Sequence, residues 1–240
     1  MLLLTDIYNK FNGKDEKRLI IFSTEEYLDN ELGSEWFSKY DDDACVKRFL
    51  NKKNEQKYRS RYLYIEKIED KKNCDVKRSG TLTYVMLNPS YADDAHSDST
   101  MNRARKWTSV VRKENNEGYE YFAVINLFSY RHHKPAELKN ILKKYDDSEN
   151  FAVIQKFLDI VQDQAQDFVI AYGVSDYTLD TQPEILKDKK QNLIKILKDK
   201  NKNLKTFYED GKPYHISSRK KAYDDKNQLH LRDISEEWLK

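Results

Sequence analysis

Four short apolar segments alternate with helix-like segments between residues 81 and 208, and this alternation restricts the possible folds more than any other feature of the chain. Each segment is rich in β-branched and aromatic residues and has the length of a buried strand. The four predicted strands are Thr81–Leu87, Tyr121–Leu127, Phe168–Tyr172 and Leu204–Tyr208.

The segments between these strands show helical spacing of apolar residues. Parallel strands need long crossover connections, and helices usually supply them. We therefore predict an α/β fold: a three-layer α/β/α arrangement with a short, mainly four-stranded parallel sheet. The predicted helices are Asp98–Lys113, 135–145, Glu149–Gln162 and Pro183–Lys200.

The first 56 residues differ from the rest of the chain. They contain one possible strand, Leu19–Ser23, a helical pattern near Thr24–Phe37 and a polar stretch over 41–56, but no motif that suggests chemistry. Aromatic and polar residues then alternate over Tyr58–Glu66, a pattern typical of a half-exposed strand. We predict an N-terminal appendage at 1–56 and an α/β domain at 57–240.

Cysteine content and hydropathy exclude several classes of protein. Cys45 and Cys74 are the only cysteines, too few for a disulfide scaffold or a four-cysteine metal centre within one chain. No apolar run approaches the roughly 18 residues of a membrane span, and the start of the chain lacks a signal-peptide cleavage site. We expect a cytoplasmic monomer without a membrane partner.

The net charge of +2 is small, but basic residues are clustered. If the clusters share a face, they form a binding surface for phosphate groups. Alternatively, the lysines of 187–205 only keep one helix face in contact with water. The clusters are 52–61, 103–106, 131–134, 187–205 and 219–221.

Polar residues follow the predicted strands at the point where each one ends. Asn88 and Pro89 follow the first strand, Asn126 lies at the end of the second, and a late loop carries His215. The carboxyl ends of parallel strands meet at one edge of a sheet, where α/β proteins bind their ligands. We therefore predict the functional site at this edge.

The motifs in these loops carry a resemblance. The strings are VMLNPS, D-S-T at 98–100, VINLFSYR, AYG and G-x-P-x-H, in that order. They resemble an uncharacterised bacterial and phage family, and their order is similar to that of the uracil-DNA glycosylase superfamily. The resemblance extends from about Tyr58 to about Arg219.

The resemblance implies a glycosylase that flips a base out of DNA and hydrolyses its bond to the sugar, without metal or cofactor. In the superfamily, a polar residue after the first strand holds the water, which would be Asn88 or Asp98 here. An asparagine reads the base, which would be Asn126. A late histidine, here His215, stabilises the departing base anion. Such cleavage requires a carboxylate or carboxamide that holds a water molecule near the sugar, and a hydrogen-bond donor to the base oxygen.

Other residues of the same loops complete the predicted site. Aromatic rings would stack on the base, and arginine and serine side chains would bind DNA phosphates. The further substrate-binding residues are Pro89, Ser90, Tyr91, Phe128, Tyr172 and Gly173. The predicted phosphate contacts are Arg131, Ser217, Ser218 and Arg219.

Each residue also has a structural interpretation that the sequence leaves open. Asn126 is equally suited to tying down a loop, Asn88 to an Asx turn, and Asp98 to capping a helix. His215 fits a surface loop. Phe128 and Tyr172 fit core packing.

The chain departs from enzymes specific for ordinary uracil. Their GQDPYH and HPSP strings are absent, and the late loop reads His-Ile-Ser-Ser. A modified base, such as those of phage DNA, is therefore the expected substrate, which would place the protein in antiviral defence. The alternatives are a nucleoside- or nucleotide-processing enzyme on the same fold, a nucleic-acid-binding module without activity, and a nuclease that holds a metal at Asp93, Asp94, His96 and Asp98.

Overall fold

The fold is taken from a computed structural model of the 240-residue chain. The structure describes residues 18–23, 36–40, 60–68, 77, 79–89, 99–111, 117–130, 148–161, 166–172, 183–200, 202–216, 222 and 229–239.

The described residues form eight strands and four helices. The strands are β1 (Arg18–Ser23), β2 (Trp36–Tyr40), β3 (Arg61–Lys67), β4 (Thr81–Met86), β5 (Tyr121–Asn126), β6 (Gln166–Ile170), β7 (Asn203–Thr206) and β8 (Arg232–Asp233). The helices are α1 (Ser99–Val110), α2 (Ser148–Ile160), α3 (Pro183–Asp199) and α4 (Glu236–Leu239).

The strands form one mixed sheet in the order β2-β1-β3-β5-β4-β6-β7-β8. The four strands β5, β4, β6 and β7 are mutually parallel, and they are the four that the sequence predicts. Antiparallel strands flank them on both sides. The α/β class is confirmed, but the prediction of a mainly parallel, four-stranded sheet is corrected to a mixed sheet of eight strands.

Strand β3 is more deeply buried than its sequence predicts. Six of its seven residues are buried, although alternation predicted a half-exposed strand. Burial is possible because the tyrosine hydroxyls have carboxylate acceptors: Tyr62 donates to Glu149 at 2.7 Å, and Tyr64 donates to Glu66. A buried hydroxyl with an acceptor avoids most of its desolvation cost.

The segment 1–56 contributes to the same sheet. β1 pairs with β3 and with β2, both antiparallel. The predicted strand Leu19–Ser23 therefore exists as β1 and extends the sheet beyond β3. Of the helical pattern near Thr24–Phe37, only Trp36 and Phe37 are among the described residues, and there the prediction is wrong because both belong to β2. The division of the chain at residue 56 stays a prediction.

Helices cover the sheet on both faces. One core cluster packs α2 and α3 against one face and includes Val85, Ile125, Phe157 and Leu197. The other packs α1 against the opposite face, which we call the α1 face. Its core residues include Tyr64, Phe122 and Val124 of the sheet and Met101 and Trp107 of α1. The predicted helix at 135–145 lies outside the described residues.

Candidate functional site

Asn126 is the last residue of β5, at the edge where the parallel strands end. Side chains alternate between the two faces of a strand, and Phe122 and Val124 belong to the core of the α1 face. Asn126 therefore projects onto the α1 face. Its side chain is fully buried, and neither its Nδ2 nor its Oδ1 has a hydrogen-bond partner among the described residues.

A buried carboxamide without partners is costly. Leaving a buried donor or acceptor unsatisfied costs about 1–3 kcal/mol, and most buried polar groups in proteins are bonded. Asn126 therefore has the property expected of a group whose partner is a ligand.

Asn88 follows the neighbouring strand β4. The amides of Leu127 and Phe128 donate to the carbonyls of Met86 and Leu87 at 2.8 and 2.9 Å, so the ends of β4 and β5 are joined by main-chain hydrogen bonds. Asn88 is half-buried, and its Nδ2 donates to the carbonyl of buried Pro89 at 3.1 Å. This local bond holds the Asn88 side chain against its own main chain, directly after β4.

The loop after β7 carries His215 to the α1 face. The Tyr208 hydroxyl donates to the carbonyl of His215 at 3.1 Å, and Arg103 of α1 donates to the carbonyl of Ile216 at 2.9 Å. Ile216 is buried in the core of the α1 face. The loop is thus attached to the second turn of α1, and His215 itself is half-buried.

Gly211 makes the turn that leads into this loop. Its φ is 67°, in the left-handed region where residues other than glycine are strained. Its carbonyl accepts from the Ser235 amide at 2.9 Å, and an added Cβ would lie 3.2 Å from that same nitrogen. Glycine therefore allows the loop and the segment after β8 to approach closely.

The structure places Phe128 and Tyr172 on the opposite side of the sheet. Both belong to the core under α2 and α3. The Tyr172 ring packs against Trp238 at 5.7 Å, and the Phe128 ring lies 5.9 Å from the Lys189 Nζ. In this position the two rings do not stack on a base held by Asn126. Burial raises the pKa of the Tyr172 hydroxyl, which has no hydrogen-bond partner among the described residues.

The remaining predicted site residues lie outside the described residues, and their roles stay predictions. They are Asp98, Ser90, Tyr91, Gly173, Arg131, Ser217, Ser218 and Arg219.

Asn150 is a buried polar residue near the site that the sequence analysis missed. It lies in the first turn of α2 and is fully buried. Its Nδ2 donates to the carbonyl of Asn126 at 2.9 Å and to that of Leu127 at 3.3 Å. Helical spacing supplied a signal, since position 150 lies three and four residues before the buried Val153 and Ile154.

Arg61 is a second buried polar residue, which the sequence analysis placed only at the end of the basic cluster 52–61. It begins β3, is only 2% exposed, and donates from its amide to the Ser129 carbonyl at 3.0 Å. Its guanidinium carbon lies 5.8 Å from the centre of the Tyr64 ring, which places the charge on the α1 face. The available signal was an arginine within an aromatic strand.

Among the described residues, no three histidine, cysteine or acidic side chains come together as a metal site would require. The acidic stretch 93–98 lies outside the described residues. None of the described helices is both long and apolar enough to cross a bilayer.

A cavity of about 520 Å³ lies along α3, on the opposite face of the sheet from Asn126. Its lining includes lysine side chains and the buried Ile194. The lining lysines are Lys187, Lys190, Lys195 and Lys198.

Comparisons with known proteins identify a family without assigning an activity. Residues 61–215 match a family described as protein of unknown function (DUF1643). Neither the curated proteins nor the solved structures contain a match. The matched region includes Asn88 and Asn126 and ends at His215. Because the match covers more than half of its length, this chain belongs to the DUF1643 family.

Proposed function

We propose that this protein is a DNA glycosylase that flips a base, modified rather than ordinary uracil, out of DNA and hydrolyses its N-glycosidic bond without metal. The observation that carries the proposal is Asn126, a fully buried carboxamide without described partners at the carboxyl edge of the parallel strands.

A carboxamide suits the recognition of a nucleobase. It offers two N–H donors and an acceptor oxygen, which complement the mixed donors and acceptors of a Watson–Crick edge. A base inside a duplex cannot reach a buried group, so it has to be extruded into the site. Hydrogen bonds made there would satisfy both polar atoms of Asn126 and recover their desolvation cost.

The other proposed roles belong to residues at the same carboxyl edge of the parallel strands. Asn88 or Asp98 holds the attacking water, and His215 donates to the departing base. The joined ends of β4 and β5 support placing Asn88 near Asn126. The attachment of the 208–216 loop to α1 supports placing His215 on the same face.

The proposed partner is DNA, with phage DNA that contains modified bases as the preferred substrate. The absence of the motifs of ordinary uracil enzymes supports this choice. The proposed phosphate contacts are Arg131, Ser217, Ser218 and Arg219. Excision would leave an abasic site in the invading genome, which is the basis of the proposed defensive role.

The test is a cleavage assay on unmodified, uracil-containing and phage-modified DNA in EDTA, followed by alkali to reveal abasic sites. We expect abasic sites in one substrate only. Asn126→Ala should lower kcat by about 100-fold or more, because removing one preorganised hydrogen-bonding group commonly costs that much, and should leave DNA affinity largely unchanged. The matched control is Asn192→Ala, an exposed asparagine on α3, which should retain full activity.

The other outcomes identify different functions. Strand cuts that require a divalent metal would indicate a nuclease, and cleavage of free nucleosides alone would indicate a nucleoside-processing enzyme. Binding of DNA without any product would indicate a binding module. Each of these results would overturn the glycosylase proposal.

A further inference from the structure

Arg61 places a permanent positive charge close to the end of β5. Its amide bonds the Ser129 carbonyl three residues beyond Asn126, and the next bridge pairs Ser60 with Tyr130. The residue is 2% exposed. Arginine stays protonated at all physiological pH values, so this position holds a buried cation.

A hydrogen-bonded network orients the ring beside this cation. The Tyr64 hydroxyl donates to Glu66, and Arg105 of α1 donates to the same carboxylate through its Nε and, at 2.8 Å, its Nη2. These contacts fix the Tyr64 ring, next to which the Arg61 guanidinium lies. The negative charge of Glu66 is paired with Arg105 and is held at the ring's hydroxyl end.

The Arg61 guanidinium and the Asn126 carboxamide lie on the same face of the sheet. Tyr64 pairs with Val124 across β3 and β5, and both belong to the core of the α1 face. Asn126 lies two residues beyond Val124 in the direction of Arg61. A donor-acceptor amide and a fixed cation therefore occupy the same buried end of the sheet.

We propose that Arg61 and Asn126 together form a subsite for a planar, anionic heterocycle, and that the Arg61 charge stabilises the negative charge in addition to the hydrogen bond from His215. This inference rests on the proposed function, in which that heterocycle is the departing base. In the reaction, the C1′–N bond breaks and its electron pair goes to the base nitrogen. A water oxygen bonds to C1′, and the water's proton ends on the departed base.

Burial favours the base over a phosphate as the partner of Arg61. Protein contacts to DNA phosphates are made along the outside of the duplex, whereas Arg61 is almost completely buried. A flipped base enters such a site, and a low-dielectric environment strengthens the attraction between a fixed cation and a charge that develops there.

The test compares two small probes by calorimetry on the full chain: barbiturate, a planar pyrimidine that is anionic at neutral pH, and uracil, which is neutral. The wild type should bind barbiturate about tenfold or more tightly than uracil, since hydrogen bonds to charged groups are stronger than neutral ones. Arg61→Met should remove this preference, and Arg61→Lys should keep part of it. The control is Arg232→Met, which removes an arginine paired with Glu209 at 3.4 Å and should keep the full preference.

Three results would overturn the inference. The wild type does not bind barbiturate, the wild type binds both probes with equal affinity, or Arg61→Met lowers the affinity for both probes by the same factor. If Arg61→Met does not fold, the wild type and Arg61→Lys decide. Failure of the proposed function is a separate result. If the protein prefers barbiturate but produces abasic sites in no DNA, the anion subsite stands and the glycosylase proposal fails. If it produces abasic sites but shows no preference for barbiturate, the glycosylase proposal stands and the anion subsite fails.

Discussion

Two buried asparagines at the end of β5 differ in their hydrogen bonding. The Asn150 Nδ2 donates to the carbonyls of Asn126 and Leu127 and so satisfies two main-chain groups, although its Oδ1 has no hydrogen-bond partner among the described residues. The side chain of Asn126 bonds none of the described residues. Asn150 should therefore stabilise the fold, whereas Asn126 should cost stability until a ligand binds.

The stability of leucine variants tests this difference. Leucine has a similar volume, so Asn126→Leu should raise the free energy of unfolding by about 1–3 kcal/mol by removing an unsatisfied amide. Asn150→Leu should lower it by about 1–3 kcal/mol, because two buried carbonyls lose a donor. Urea unfolding of both variants and the wild type provides the measurement. Equal destabilisation by the two substitutions would show that the Asn126 amide has a structural partner.

The structure places Asn126 at the predicted edge of the sheet, whereas Phe128 and Tyr172 lie in the core on the opposite face. An amide at the end of an apolar strand is unusual enough to be noticed in a sequence. The face of the sheet on which Phe128 lies could not be predicted, because side chains stop alternating between the two faces where the strand ends. Leu127 and Phe128 both pack into the core under α2 and α3. Tyr172 packs into the same core as Ile170.

At the level of elements, an ion pair connects α1 with β3. Arg105 donates to both carboxylate oxygens of Glu66, whose side chain is 6% exposed, while that of Arg105 is 33% exposed. Breaking a buried pair leaves the remaining charge without compensation, which costs more than the pair contributes. The pair also holds the helix against the strand that carries Arg61.

Removing one partner should therefore destabilise the protein more than removing both. Arg105→Met should lower the free energy of unfolding by about 2–3 kcal/mol, less than the roughly 3–5 kcal/mol of fully buried pairs because the arginine is partly exposed. Adding Glu66→Gln should restore most of the loss. The control is Lys205→Met, which breaks an exposed pair with Asp233 and should cost less than about 1 kcal/mol. A double variant less stable than Arg105→Met would contradict this account.

The elements were predictable where their signals are local. The strands β4 to β7 and the helices α1 to α3 follow from apolar periodicity and from turn residues, and all of their observed ends lie within three residues of the predicted ones. The antiparallel strands were harder to predict, because pairing between β1 and β3 depends on residues 39 to 48 positions apart. β3 can be buried although its sequence alternates, because its tyrosine hydroxyls donate to carboxylates. One carboxylate belongs to a distant residue and the other to β3 itself, so the sequence pattern alone did not reveal the burial.

For the molecule as a whole, buried tyrosines set the response to alkaline pH. Burial raises the pKa of Tyr208 to about 12 and raises that of Tyr172 further above its ordinary value of about 10. Above pH 10 the unfolded chain releases these protons while the folded chain keeps them. The contribution of these tyrosines to the free energy of unfolding is therefore constant below about pH 10 and should fall as the pH rises above that value.

Two phenylalanine variants separate the effect of burial from that of hydrogen bonding. Tyr172→Phe removes a buried hydroxyl without a described partner, so it should raise the free energy of unfolding at pH 7 by roughly 1 kcal/mol, as Asn126→Leu does, and make the alkaline loss smaller. Tyr208→Phe should cost about 1 kcal/mol at pH 7, because the His215 carbonyl loses its donor. Urea unfolding at pH 7 and at several values above pH 10 measures both effects. If Tyr172→Phe were as costly at pH 7 as Tyr208→Phe, the Tyr172 hydroxyl would have a bonding partner in the folded protein, and the alkaline loss would have to be assigned to other groups.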